Sequence, residues 1–317
     1  MNQRKKILGL ILGALCLLAS ALGLTLHPMG KKEVQELLHL LADIGYEQES
    51  TQAGELEVHF LDVGQSDATL ILCGEDAMLI DAAEDAKGTA VQNYLQKRGI
   101  KTLKYLILTH TDADHIGGAD VIITKFDVER IFLSDTPKES SAYRNLMEAM
   151  KSRGYTYETP RPGSRFELGT AEFTVLAPVE EYEEANNASL GLLLRNGENR
   201  FLFTGDAEEE AEEDILEYGL SIACDVFKAG HHGSRTSNTQ AFLEAANPKA
   251  AVISCGEDNS YGHPHAGPLN SFRMAGIEVY RTDEQGTIVA VSDGNSITWN
   301  TPPSDSWKAG EPKTSSP

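Results

Sequence analysis

The chain has 317 residues, enough for one large domain or two small ones. Its 27 basic and 48 acidic side chains give a formal net charge of −21, which argues against a protein that wraps nucleic acid while leaving room for a local cationic groove. Cys16, Cys73, Cys224 and Cys255 show no CxxC spacing, so neither a disulfide framework nor a sulfur-held zinc is expected.

Arg4, Lys5 and Lys6 precede a charge-free run from Ile7 to Leu26. About 20 apolar residues suffice to cross a bilayer. Two readings stand for residues 1–30: a signal peptide cut after Ala21, or an uncleaved single-pass anchor. The length of the run favours the anchor. The cationic flank then stays in the cytoplasm and the rest lies outside the cell membrane, or is secreted if cut. Leu37, Leu38, Leu41 and Ile44 recur at helical spacing, so residues 31–54 read as a helical stalk and linker. Residues 55–300 form the folded domain. Residues 301–317, rich in Pro, Ser, Lys and Glu, read as a disordered tail.

Inside the domain, β-rich runs alternate with helical ones. Strands are predicted over 56–63, 68–73, 77–80, 105–109, 173–177, 190–195, 200–204, 225–229 and 250–254. Helices are predicted over 89–98, 208–218 and 239–246. Alternation of this kind predicts an α/β sandwich with helices outside buried sheets. Glu208, Glu209, Glu210, Glu212 and Glu213 read as a solvated helix face. His59, on an alternating strand, reads as structural.

The segment Thr109 to Gly118, THTDADHIGG, places His110, Asp112, Asp114 and His115 within six residues, directly after an apolar strand. Groups this dense are costly to bury without a cation. Other polar residues also end apolar runs: Asp81, Asp206 and the pair His231–His232. His263 lies in a loop beyond Ala251–Ser254. Strand carboxyl ends are where layered α/β folds gather their ligand sites, so one shared site is expected.

These segments resemble the metallo-β-lactamase superfamily, and within it the metallo-hydrolase domain of ComEC-type competence proteins. LDVGQSDA from Leu61, LID from Leu79, THTDADHIGG from Thr109, FTGD from Phe203, HHGS from His231 and YGHP from Tyr261 carry the resemblance. They appear in the family's order over nearly all of residues 55–300. The resemblance implies a four-layer αβ/βα sandwich with a two-metal site along one edge. Ser66 stands where the family usually has Gly, and Ala82-Ala83 where a Gly usually follows the first aspartate. Asp112 replaces the histidine of the broad superfamily but is shared by the ComEC-like branch. Asn186 and Asn187 occupy the region of the missing central histidine ligand. ComEC proteins have many membrane helices, whereas this chain offers at most one apolar run, so no channel of its own is expected.

On residue types, Asp206 is the expected bridging carboxylate between two divalent ions. His110 and Asp112 would hold one ion, Asp114 and His115 the other, with His231 as a further ligand. His232 and His263 are the expected catalytic residues, adjacent as proton donor or ligand. Asp112 makes the set oxygen-rich and tilts it from Zn²⁺ toward Mn²⁺. Asp81 is expected to orient the histidine loop. Asn187 and Ser189 either touch the site or merely start a strand, Asp67 caps a turn, and Ser234 approaches an anion. The expected function is a metal-dependent hydrolase of phosphodiester bonds, acting outside the cytoplasmic membrane on a small-molecule or nucleic-acid phosphoester. The alternatives are a hydrolase of another envelope ester and a catalytically inactive surface-binding protein. No protein partner is evident, and β-lactam hydrolysis is not expected.

Overall fold

A computed structural model describes residues 54–311. The expected signal or anchor and stalk, and the last six residues of the expected tail, lie outside the described residues. Among the described residues no helix is long and apolar enough to cross a membrane.

Two sheets face each other. The first has eight strands in the order β15-β14-β1-β2-β3-β4-β5-β6. These are β1 (Leu56–Phe60), β2 (Thr69–Cys73), β3 (Asp76–Ile80), β4 (Thr102–Leu108), β5 (Asp127–Leu133), β6 (Tyr157–Glu158), β14 (Ile288–Ser292) and β15 (Ile297–Trp299). The second runs β13-β12-β11-β10-β9-β8-β7. Its strands are β7 (Arg165–Leu168), β8 (Ala171–Ala177), β9 (Gly191–Asn196), β10 (Asn199–Phe203), β11 (Val226–Lys228), β12 (Ala250–Ile253) and β13 (Glu278–Arg281). In each sheet a parallel half, β3 to β6 or β10 to β13, adjoins an antiparallel half.

Residue alternation explains the layers. Side chains of a strand point to opposite faces at period two. Leu56, Val58, Phe60, Ile71, Tyr105 and Ile107 of the first sheet meet Phe173, Val175, Phe201, Phe203 and Val252 of the second in one buried layer between the sheets. The intervening Leu70, Leu79, Leu106 and Leu108 point outward onto helices Gly88–Lys97, Ala119–Lys125 and Ser141–Arg153. Leu202, Phe227, Ala251 and Ile253 do the same under helices Glu209–Tyr218, Gln240–Ala246 and Ala266–Ala275. Three apolar layers separated by two sheets make the four-layer αβ/βα sandwich.

Parallel strands direct their carboxyl ends to one edge, and the polar residues gather there. The loop after β3 turns at Asp81 and Ala83, both at positive φ (59° and 62°), where L-residues are strained. Gly118 fits closely over this loop, since a Cβ there would lie 2.3 Å from the Ala82 carbonyl oxygen. Ser66, in a position where glycine was anticipated, is buried and its hydroxyl accepts the Glu84 N–H at 3.3 Å.

The tail reading is corrected over 301–311. Ser304 N–H donates to the Val279 carbonyl at 2.7 Å, Arg281 to the Lys308 carbonyl at 2.6 Å, and Gly310 N–H to the Pro264 carbonyl at 2.9 Å. Trp307 packs on the outer apolar cluster of the second sheet. Composition flagged the segment as polar, but one indole and backbone groups with partners are enough to tie it down. Glu212 is also corrected: it is fully buried, and its carboxylate accepts the N–H groups of Asn238 and Thr239.

Candidate metal centre

His110 and Asp206 follow β4 and β10. Asp114 and His115 lie on the single helical turn Ala113–Ile116, and His231–His232 lie on the turn after β11. Four residues, Asp114, His115, Asp206 and His232, bring one donor atom each within 4.8 Å of one another.

The hub is Asp206 Oδ2. His115 Nε2 lies 3.3 Å from it, His231 Nε2 3.6 Å, His232 Nε2 3.7 Å and His110 Nε2 3.9 Å. In each ring the other nitrogen is occupied. His115 Nδ1–H donates to Asp81 Oδ2 at 2.8 Å. His232 Nδ1–H donates to the Ser254 carbonyl at 2.9 Å. His110 Nδ1 lies 3.2 Å from the Thr109 hydroxyl, whose own proton goes to Asp81. His231 Nδ1 lies 3.3 Å from Glu208 Oε1 and 3.3 Å from the Thr236 hydroxyl. In neutral His110 and His115, securing Nδ1 fixes the tautomer and leaves Nε2 with a lone pair, whereas His232 Nε2 lies 3.3 Å from Asp114 Oδ2.

The lone pairs of the first two rings lack partners. His110 Nε2, His115 Nε2 and Asp206 Oδ1 are buried without any hydrogen bond. Orphaned buried polar atoms are costly, and a divalent cation would satisfy them. Two imidazole nitrogens and two carboxylates suit Zn²⁺ and Mn²⁺ alike. The electrostatics agree. Burial disfavours charge on His115, yet Asp206, Asp81 and Asp114 hold its pKa well above the usual histidine value. Burial likewise opposes ionisation of Asp206, yet His115, His232 and His231 hold it well below the usual carboxylate range. A cation held at His115 Nε2 would take the place of that second proton.

Several expected residues stand elsewhere. Asp112 does not join the cluster, because its Oδ1 pairs with Lys138 Nζ. His232, expected as proton donor, sits inside the four-donor set, with its Nδ1 proton committed to Ser254. His263 is held neutral: burial, then the neighbouring His232, His231 and His265, push its pKa down to about 3. Gln65 Nε2 donates to its Nδ1 at 3.1 Å, while Gln65 Oε1 accepts the Gly256 N–H. With Nδ1 accepting from Gln65, the ring carries its proton on Nε2. His231 stands at the half-buried rim of the same cluster, its Nε2 3.6 Å from Asp206 Oδ2. Asp81 binds the Thr109 N–H and hydroxyl as well as His115, which is the orienting role. Ser189 Oγ accepts the Asp206 N–H at 3.1 Å and so touches the site. Asn187 instead accepts the Glu208 N–H and donates to Glu210. Ser234 is hydrogen-bonded to Thr236. His59 meets the Tyr94 hydroxyl, away from the cluster.

Two contributions went unread in the sequence. Glu208, taken as solvated, stands behind His231 and accepts from Thr236 and Asn186. Lys228, the last residue of β11, is buried and donates to buried Asp67 at 2.8 Å, joining the end of that strand to the loop between β1 and β2. Such a pair is retained only where each charge has its partner. A lysine ending an otherwise apolar strand was the available signal.

The profile of the metallo-beta-lactamase superfamily matches residues 61–257. ComE operon protein 3 of Bacillus subtilis is 35% identical over 196 residues, covering 62% of this chain and 25% of that protein. Competence protein ComA of Neisseria gonorrhoeae is 29% identical over 284 residues, covering 89% of this chain and 38% of that protein. The chain thus spans a minor part of the length of these curated relatives. Among solved structures, the metallo-beta-lactamase fold protein YhfI from Bacillus subtilis has a TM-score of 0.51 at 13% identity, covering 75% of this chain and 100% of that chain.

Proposed function

This chain belongs to the metallo-β-lactamase superfamily of metal-dependent hydrolases, and from that premise we propose that it cleaves phosphodiester bonds with two divalent ions, Zn²⁺ or Mn²⁺. The observation that carries this reading is the crowding of four imidazole Nε2 atoms around Asp206 Oδ2. Asp114, His115, Asp206 and His232 would hold one ion, and His110 with Asp206 offers donors for the second. Bound there, divalent ions supply Lewis acidity and make water acidic enough to attack near neutral pH.

The chain's own residues do the rest. Asp81, Thr109 and Ser254 fix the ring orientations, so no reorganisation accompanies the reaction. His231 faces solvent at the rim with Glu208 behind its Nδ1, an arrangement that lets Nε2 pass a proton to the departing oxygen. His263, neutral and carrying its proton on Nε2, donates a hydrogen bond to a substrate oxygen. The charge-free run from Ile7 to Leu26 supports action outside the cytoplasmic membrane.

The test is hydrolysis of bis-p-nitrophenyl phosphate and of single-stranded DNA by the chain loaded separately with Mn²⁺ and Zn²⁺. Cleavage of either supports the reading. Absence of cleavage with both metals, alongside hydrolysis of a carboxylic ester, overturns it.

A further inference from the structure

Tyr261 is 62% exposed, one of two large apolar side chains so exposed among the described residues. Its exposure is built into the loop. Buried Asn259 accepts the N–H of Tyr261 at 3.1 Å and of His263 at 3.0 Å through Oδ1. Its Nδ2 donates to the carbonyls of Gly256 at 2.9 Å and His263 at 2.6 Å. A turn pinned this tightly holds the Tyr261 ring outward.

The ring lies nearly parallel to His263, with centroids 5.6 Å apart and 17° between planes. His263 in turn stacks on His232 at 5.9 Å and 28°. Three rings therefore lead from the metal cluster to solvent. A cation stands beside the middle ring of this line, reached through His265. His265 meets the edge of His263 at 4.8 Å. Arg235 N–H donates to His265 Nδ1 at 3.0 Å, and the Arg235 guanidinium lies 3.4 Å from His265 Nε2.

We propose that Tyr261 and Arg235 form a subsite for one nucleotide unit of the substrate, Tyr261 stacking on its base and Arg235 pairing with the phosphate beyond it, while the scissile phosphate sits at the metal cluster. This rests on the phosphodiester reading above. An aromatic ring offers every base a π face, which binds without sequence preference. A guanidinium matches phosphate geometry and tolerates a neighbouring ring. In a chain of net charge −21, the cation and the exposed ring are placed where a polyanion would leave the cluster.

The test is calorimetry on the full-length, Mn²⁺-loaded chain with thymidine 5′-monophosphate and deoxyribose 5-phosphate, which share a phosphate and differ by the base. The base is expected to tighten binding roughly tenfold. Tyr261→Ala should abolish that preference and Tyr261→Phe should keep it. Arg235→Ala should weaken thymidine 3′,5′-bisphosphate more than the monophosphate. Equal binding of the two probes by the unaltered chain, failure of both to bind, or a base preference that survives Tyr261→Ala overturns the subsite. A Tyr261→Ala loss shared equally by both probes also overturns it, because that marks a loop effect. Diester cleavage without base preference removes the subsite and spares the reaction. Base preference without diester cleavage spares the subsite and removes the reaction.

Discussion

The two sheets furnish the cluster in different ways. On the first, His110, Asp114 and His115 come from one six-residue stretch, and a single carboxylate, Asp81, secures the stretch through Thr109 and His115. On the second, Asp206, His232 and His263 come from three loops, each held by its own distant partner: Ser189, Ser254 and Gln65. The first side is a compact block whose donors move together. The second is an assembly in which each ring is oriented separately. The shared point is Asp206, whose Oδ2 the Nε2 atoms of His110, His115, His231 and His232 approach. Ligand identity is thus local on one side and a product of tertiary structure on the other.

Asp206→Asn tests the shared point and should have the largest effect. Metal content by elemental analysis should fall to near zero, and activity by at least about 10³-fold. Retained metal would show the two sides to be independent. His232→Ala and His231→Ala come next and test the assembled side. His232→Ala should remove metal as His115→Ala does. His231→Ala should keep metal and lose about 10²–10⁴-fold in kcat on a diester with a poor leaving group, with a smaller loss for p-nitrophenolate. If His231→Ala strips the metal instead, the roles of the pair are reversed. Asp81→Asn tests the compact block. Loss of the carboxylate that orients His115 should weaken metal about 10–100-fold in a calorimetric titration. Asp112→Ala should have the smallest effect, leaving metal content unchanged, because its carboxylate is engaged by Lys138.

Acidity sharpens the same comparison. In the metal-free chain, the attraction between charged His115 and its carboxylates is fully present below about pH 6.5 and lost as pH rises through the raised folded value. The contribution of ionised Asp206 is present above about pH 3.8 and lost as pH falls through its depressed value. Thermal denaturation of the metal-free chain should therefore show greatest stability between these limits. Apparent metal affinity should keep rising above pH 6.5, with proton release measurable in buffers of different ionisation enthalpy.

Fold class and compact block were legible because both are short-range. Alternating Leu56-Val58-Phe60 and the apolar run before Thr109 state strand and burial directly. His110, Asp114 and His115 are visible as a dense polar interruption. The assembled side was legible only in its residue types. Whether His231 or His232 enters the cluster depends on which Nδ1 finds the Ser254 carbonyl, and Ser254 lies more than twenty residues away. Asp112 looked like its neighbours, yet Lys138, from a loop the pattern left blank, takes it. Glu208 and Glu212 fell in a run of like charges that resembles a wet surface, while two of its members serve buried backbone or an imidazole. Arg130, Glu158 and the helix Ser141–Arg153 were likewise unread, because that stretch mixes charge with apolar residues without a clean period.

The pairing of β1 with β14 has a consequence in time. Every residue of β1 from Leu56 to Phe60 has a partner between Ile288 and Ser292. Synthesis at about 5–20 residues per second delivers that partner tens of seconds after β1 leaves the ribosome. Throughout the interval β1 pairs with β2 alone and presents a bare, apolar edge of the kind that templates aggregation. A chain cut short before Ile288 keeps that edge for its whole lifetime, although every donor of the cluster has already been made.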